Sequence, residues 1–240
     1  MLEKIEKLQV LTVGILITAA LVTSTKIIAK SMSNNIISVT GSAYEIVKSD
    51  KGSLEFNINV KRDTKQDAYS AVQSQIKIVK KYLEDKKIKN IELKTVNGWY
   101  NYKRDPRTGS YTDIQDSYNL SQPIMISSDN VELIKEISND ITGLINQGVD
   151  INVQSPSYDY SKLADLKVSL LEKASTDAKN RAASMLKPTK NSVGKIHSVR
   201  MGVYQITPVD STSVSDMGIN DTSTIDKKVT AVANVSFKIK

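Results

Sequence analysis

Between residues 163 and 186, apolar side chains recur at Leu163, Leu166, Leu170, Ala174, Ala178, Ala182 and Leu186, always three or four positions apart. That spacing places all seven on one face of a helix. The stripe opens with leucine and narrows to alanine from Ala174 to Ala182. A methyl group adds almost no thickness, so the narrowed half lets another element come close to the helix backbone. Pro188 cannot continue the helix, because it lacks an N–H and its ring strikes the preceding turn. The chain must therefore offer this helix a partner surface along its whole length.

The other segments supply one. Ile36 to Val47 is rich in strand-forming residues, and Gly41 within it signals a bulge or a close backbone approach. Leu54, Phe56, Ile58 and Val60 alternate with Glu55, Asn57 and Asn59, the pattern of a strand buried on one side. Thr64 caps a helix whose stripe is Ala68, Val72, Ile76, Val79 and Leu83. Ile91 to Tyr102 reads as a strand, Asp105 to Gly109 as a hairpin tip and Tyr111 to Ser127 as the return strand. Ser128 or Asp129 caps a second helix carrying Ile134, Ile137, Ile141 and Leu144, which Gly148 ends. Val149 to Val153 is a short strand, Val193 to Val209 and Val229 to Ile239 are the last two, and polar Asp210 to Asp226 is a loop. The order is ββαββαβαββ. It predicts an α+β fold with a mostly antiparallel sheet and helices packed on it. Elements two to seven suit a ferredoxin-like βαββαβ unit.

Leu8 to Thr25 is an 18-residue run without a charge, preceded by Lys4 and Lys7 and followed by Lys26 and Lys30. At 1.5 Å per residue such a helix just reaches across a hydrocarbon layer of roughly 30 Å. It reads as an uncleaved signal anchor, a transmembrane helix, or as a signal peptide that is removed. The division that follows is an export segment over residues 1–30, a linker over 31–35 and a folded domain over 36–240. Either reading places that domain outside the cytoplasm, held at the bacterial cell membrane or secreted.

The chain has no cysteine, which excludes disulfides, thiolate nucleophiles and cysteine-ligated zinc. Its one histidine, His197, rules out a multi-histidine metal site within one chain. No glycine-rich phosphate loop or nucleophile elbow is present. Asp210, Asp216, Asn220, Asp221 and Asp226 cluster in the late loop. Such a loop could offer several oxygens to calcium, but the spacing is not that of a calcium hand, and turn chemistry explains it better. No cofactor is implied. Lysine and arginine outnumber the acids by twelve to five between Lys61 and Arg104. This is a solvated helix face or an attraction to anionic lipid or wall polymer. No nucleic-acid motif accompanies it.

Ten tyrosines stand against two phenylalanines. Trp99, Tyr100, Tyr102, Tyr111 and Tyr118 concentrate in one hairpin, with Tyr100 and Tyr102 on one face and Trp99 on the other. Tyrosine suits surfaces that are half apolar and half wet. The cluster reads as cross-strand pairing, as a subunit or partner interface, or as a sugar-stacking surface.

Ile37-Ser38-Val39-Thr40-Gly41-Ser42-Ala43, Asp50-Lys51-Gly52, the helical Ala174, Asp177-Ala178 and Arg181-Ala182, and Val193-Gly194-Lys195-Ile196 occur in an order that resembles the SIMPL-domain family of bacterial exported proteins. Gly202 to Pro208 and Ser215 to Ser223 resemble one branch of it. Lys187-Pro188-Thr189 departs from the glycine often found after the helix. The resemblance implies an exported α/β-rich domain that self-assembles, in some relatives linked to oxidative-stress tolerance, with no agreed catalytic set. The expectation is a non-catalytic homo-oligomer at the cell envelope, attached to the membrane through residues 8–25. The alternatives are a module binding wall glycan or anionic polymer, and an enzyme with a carboxylate-only site.

Overall fold

The computed structural model describes residues 12–26 and 35–240. Residues 12–26 form a helix, α1, in which the Thr18, Thr23, Ser24 and Thr25 hydroxyls donate back to carbonyls one turn earlier. Fifteen residues span about 22 Å. The sequence-predicted span begins at Leu8, and Leu8 to Leu11 lie outside the described residues, as do residues 31–34 of the linker. Among the described residues, no helix is long and apolar enough to cross a membrane.

The folded part divides into two compact units. The larger comprises Tyr44–Leu170 and Val203–Ala231. Its framework is β2 (Lys51–Arg62), α2 (Lys65–Asp85), β3 (Asn90–Leu93), β4 (Asn97–Arg104), β5 (Tyr111–Ser128), α3 (Val131–Asp140), β6 (Ile151–Val153) and β7 (Ser157–Asp159). The strands lie in the order β3, β5, β2, β6 and every pair is antiparallel. This is the ferredoxin-like arrangement anticipated from the element order. Alternation in β2 sends Leu54, Phe56, Ile58 and Val60 into the core, where they meet the α2 stripe and Ile134 and Ile137 of α3. Thr64 caps α2 by accepting from the Asp67 N–H. The α3 cap is Asn130, accepting from the Leu133 N–H, and not Ser128 or Asp129. The apolar stripe of α3 runs on through a 3-10 helix, Ile141–Gln147, which Gly148 ends at φ 81°.

The strand expected over Ile91 to Tyr102 is two strands. Pro123 of β5 has no N–H to offer the neighbour on that edge. Opposite it the chain leaves the ladder between β3 and β4. The Lys94 N–H donates to the Pro123 carbonyl at 3.0 Å, and the Gln122 side-chain amide donates to the Lys94 carbonyl at 2.6 Å.

The strand expected over Val193 to Val209 also divides, into β8 (Val193–Met201) and β9 (Gln205–Pro208). The loop expected over Asp210 to Asp226 contains a two-residue strand, β10 (Ile219–Asn220), parallel to β9. The Gln205 side chain secures this loop by donating to the Ser215 carbonyl and accepting from its N–H. β7 and β10 are too short for periodicity to disclose.

Of the described residues, the smaller unit holds 12–26, 35–43, Leu171–Gly202 and Val232–Lys240. Its sheet is formed by residues 36–43 of β1 (Ile36–Lys48), residues 232–239 of β11 (Asp226–Ile239) and the antiparallel edge strand β8. Residues 171–186 of α4 (Leu163–Leu186) cover one face. Val39, Gly41, Ala233, Val235 and Phe237 are buried, as are Ala174, Ala178 and Ala182. A Cβ built on Gly41 would lie 2.1 Å from the Ala174 carbonyl oxygen and 2.4 Å from the Ala178 nitrogen. Gly41 marks the close approach that the alanine stripe allows. Asp177 reinforces it by accepting from the Ser42 N–H at 2.8 Å and from Arg181 Nε at 2.7 Å. After Leu186 the chain makes a 3-10 turn through Pro188, and Lys190 takes the left-handed conformation at φ 60°. The role usually given to a glycine after the helix falls to this lysine.

Gly41→Ala is expected to destabilise the protein by about 1–3 kcal/mol, because backbone cannot move aside as a side chain can. Ala178→Gly, which leaves the approach open, should cost only about 1 kcal/mol of helix propensity. Chemical denaturation of the two variants tests the difference, and equal losses would dismiss the close-contact account.

A candidate interaction site on the tyrosine-rich hairpin

β4 and β5 form the hairpin that carries the five aromatic residues. The register sets Trp99 opposite Asn119, Tyr100 opposite Tyr118, Tyr102 opposite Gln115 and Arg104 opposite Tyr111, with irregularities on either side of Tyr102. Tyr100, Tyr102 and Arg104 alternate onto one face, together with Tyr118 and Tyr111 on the return strand. Trp99 is on the other face, as alternation requires.

The five aromatics do not share one environment. Tyr118 is 7% exposed and belongs to the core of the larger unit, so it is no surface residue. Tyr100 packs on it edge to face, with centroids 4.8 Å apart and planes at 66°. Such a pair contributes about 0.5–1.5 kcal/mol beyond burial. Lys65, at the start of α2, places its ammonium 5.8 Å from the Tyr100 centroid and 5.5 Å from that of Tyr118. Gly98 makes room for this seat. A Cβ there would lie 2.2 Å from Tyr118 Oη and 2.9 Å from Leu120 Cδ1. Beside it, Lys65, Gln66, Tyr69, Tyr118 and Leu120 line an open groove of about 360 Å³. Trp99, Tyr102 and Tyr111 remain exposed, at 52%, 43% and 68%, and Ile114 joins them at 60%. Sequence reading passed over Ile114 because its position in a register irregularity is invisible to alternation.

The hairpin also outruns the sheet. The pairing of β2 with β5 stops at Arg62 opposite Tyr118. From Tyr111 to Ser117, β5 has only β4 beside it among the described pairings. The result is a two-stranded arm. It is held internally by Asn101 donating to Ser117 Oγ and by Asn119 donating to Asn101 Oδ1, each at 2.9 Å. At its tip the Arg104 guanidinium lies 4.6 Å from the Tyr111 ring centroid and donates to the phenol oxygen at 2.8 Å.

The remaining sequence candidates are placed as follows. His197 is the extra residue of a bulge in β8, since Ser236 pairs with Ser198 and Phe237 with Ile196, and its side chain is exposed. Asp221 accepts from the N–H and hydroxyl groups of Ser223 and Thr224. It also faces the buried Lys227, whose ammonium donates to the Asp221 carbonyl at 2.6 Å. The late loop thus uses its acid in a turn. Among the described residues, no group of three metal-ligating side chains comes together. Asp210 and Asp226 share the rim of a groove of about 690 Å³ with Glu132, which pairs with Lys48 at 3.0 Å. Three of the twelve cations between Lys61 and Arg104 are paired with acids from outside that stretch. Lys61 pairs with Asp116, Lys94 with Glu55, and Lys86 with Glu136 and Asp140.

Comparison with known families assigns the architecture. A model of the family described as SIMPL, a protein of unknown function (DUF541), matches residues 37–237. The chain belongs to the SIMPL family. No curated protein matches it closely enough to be counted as a relative. The SIMPL match takes in both units, including the arm and the alanine half of α4.

Two outcomes follow from this geometry. Gly98→Ala should push Tyr118 out of its seat and cost about 1–3 kcal/mol. Adding Tyr118→Phe should recover part of that loss, and a double-mutant cycle read by Trp99 fluorescence measures the coupling. Burial pushes the Asp221 carboxyl up, but hydrogen bonds from Ser223 and Thr224 and the Lys227 charge outweigh it, holding the group well below the usual carboxylate range. A depressed folded-state value means stability that is present above the unfolded value of about 4 and lost as pH falls toward the folded one. Between pH 5 and pH 3 the melting temperature of the native protein should therefore fall more steeply than that of Asp221→Asn.

Proposed function

We propose that this SIMPL protein is a non-catalytic assembly protein of the cell envelope. Its folded domain lies outside the cytoplasm, pairs with copies of itself through the β4–β5 arm, and contributes to stress tolerance through that assembly. The export character of residues 8–25 supports the location. The observation that carries the assembly is the arm itself. A two-stranded ribbon is marginal in water unless its face is covered. This one holds Tyr102, Tyr111 and Ile114 in the open beyond the end of β2. The outer edge of β4 is likewise unpaired among the described strands, so its N–H and C=O groups are available to another strand. Residues 101–117 carry three basic side chains, Lys103, Arg104 and Arg107, and three acidic ones, Asp105, Asp113 and Asp116. A balanced arm complements a copy of itself better than a partner of one sign.

Light scattering of the full chain in a mild nonionic detergent tests this reading. The native protein should form a discrete oligomer at low micromolar concentration. Tyr111→Ser with Ile114→Ser should raise the concentration needed for half-assembly by tenfold or more while leaving the melting curve of the dissociated protein in place. A native protein that stays monomeric at high micromolar concentration would rule the proposal out.

A further inference from the structure

The two units differ sharply in charge. The larger contains twenty Lys or Arg against twenty-two Asp or Glu. In the smaller, residues 35–43, 171–202 and 232–240 contain nine Lys or Arg against two acids. One of those two acids, Asp177, is already bound to Arg181 and the Ser42 N–H. The excess of the 61–104 window is largely cancelled within its own unit, and that of the smaller unit is not.

The uncovered face of the smaller unit's sheet concentrates polar groups in two rows across three strands. Ser38, Ser236 and Ser198 form one row, and Thr40, Asn234 and Arg200 form the next. The Ser38 and Ser236 hydroxyls are 2.8 Å apart, and Thr40 donates to Asn234 Oδ1 at 2.6 Å. That bond orients the Asn234 amide so that its NH₂ group stays available beside Arg200. The six side chains line a shallow depression of about 340 Å³. Lys238 continues the Asn234–Ser236 side of β11, four residues or about 13 Å along the strand from Asn234. Among the described residues, Arg200, Lys195 and Lys238 have no carboxylate partner.

We infer that this face binds a polyanion built of phosphodiester-linked polyol units. The array presents two unpaired cations and a run of hydroxyl and amide groups, which suits a ligand with both anionic and hydroxyl groups. The separation of Arg200 from Lys238 is too great for one small anion and spans successive charges of a chain. Nucleic acid fits less well. The smaller unit has no tyrosine or tryptophan and its phenylalanine, Phe237, is buried, which leaves His197 as its one exposed ring, too few for the successive stacking platforms that a run of bases needs. A bilayer fits less well also. The exposed apolar residues of β8, Ile196, Val199 and Met201, pair in register with Phe237, Val235 and Ala233, and so lie on the opposite face from Arg200. The polar face has no such anchor to insert.

The site is separate from the arm, so the two proposals are tested apart. Fluorescein-labelled poly(glycerol phosphate) is titrated with the full chain in nonionic detergent, and polarisation is read between 50 and 200 mM salt. Binding should weaken steeply with salt. Arg200→Gln with Lys238→Gln should weaken it tenfold or more and flatten the salt dependence. Lys80→Gln with Lys81→Gln, which removes the same charge from the exposed face of α2, should change it less than twofold. The arm variant Tyr111→Ser with Ile114→Ser should still bind the polymer, as a failure of assembly would leave this face intact. All four altered cations are solvated side chains, and thermal unfolding confirms that each variant remains folded. Equal losses in the two charge-matched pairs would reduce the effect to bulk electrostatics and overturn the inference. Absence of binding at 50 mM salt would do the same, as would tighter binding to phosphatidylglycerol vesicles than to the polymer.

Discussion

The contact of Gly41 with the Ala174–Ala178 turn is the tightest constraint in the smaller unit. Backbone meets backbone there, with no side chain between to absorb a misfit. Because β1 lies this close to α4, Val39, Val235 and Phe237 are sealed beneath the helix, and the opposite face of the same three strands is left wholly to solvent. Alternation then does the rest. The residues that alternate with the buried ones are displayed on the open side, and at its centre those are Ser38, Thr40, Ser198, Arg200, Asn234, Ser236 and Lys238. The polar face is thus a consequence of packing on the other side of the sheet.

In the larger unit a comparable role falls to two residues that interrupt regular structure. Pro123 withholds an N–H from the sheet edge and splits what would be one long strand. Gly98, five positions after Leu93 closes β3, lets the chain rejoin β5 directly over the Tyr118 phenol. The hairpin that emerges is seated on the buried Tyr118, with Tyr100 packed on it and a lysine beside them at the base, and is exposed at its tip. Tyr100 and Tyr118 stabilise the platform. Tyr102, Tyr111 and Ile114 lie where the platform has ended. Residues that look alike in the sequence therefore have different physical roles, divided by the point at which β2 stops.

Charge shows how a window along the chain can mislead. The stretch from Lys61 to Arg104 has the conspicuous basic excess, yet the fold returns Glu55, Asp116, Glu136 and Asp140 to its lysines. The uncancelled excess of the smaller unit comes from two separate segments, 171–202 and 232–240, neither of them unusual alone. Only their assembly into one small unit gives them a common field.

The periodic features of this chain were legible before any coordinates. The stripes of α2 and α4, the alternation of β2, the cap at Thr64 and the stop at Gly148 all depend on neighbours within one or two turns, and local chemistry decides such things. The ferredoxin-like order followed from the succession of elements, because short connections and antiparallel hairpins leave few alternatives. What tertiary structure alone decided were matters of register and company. These are the break opposite Pro123, the burial of Tyr118 among exposed tyrosines, and the meeting of Thr40, Asn234 and Arg200 on adjacent strands. Each depends on which residue lies across a gap of some 5 Å from a partner dozens or hundreds of positions away. Periodicity along a chain records which way a side chain points and not what it will face.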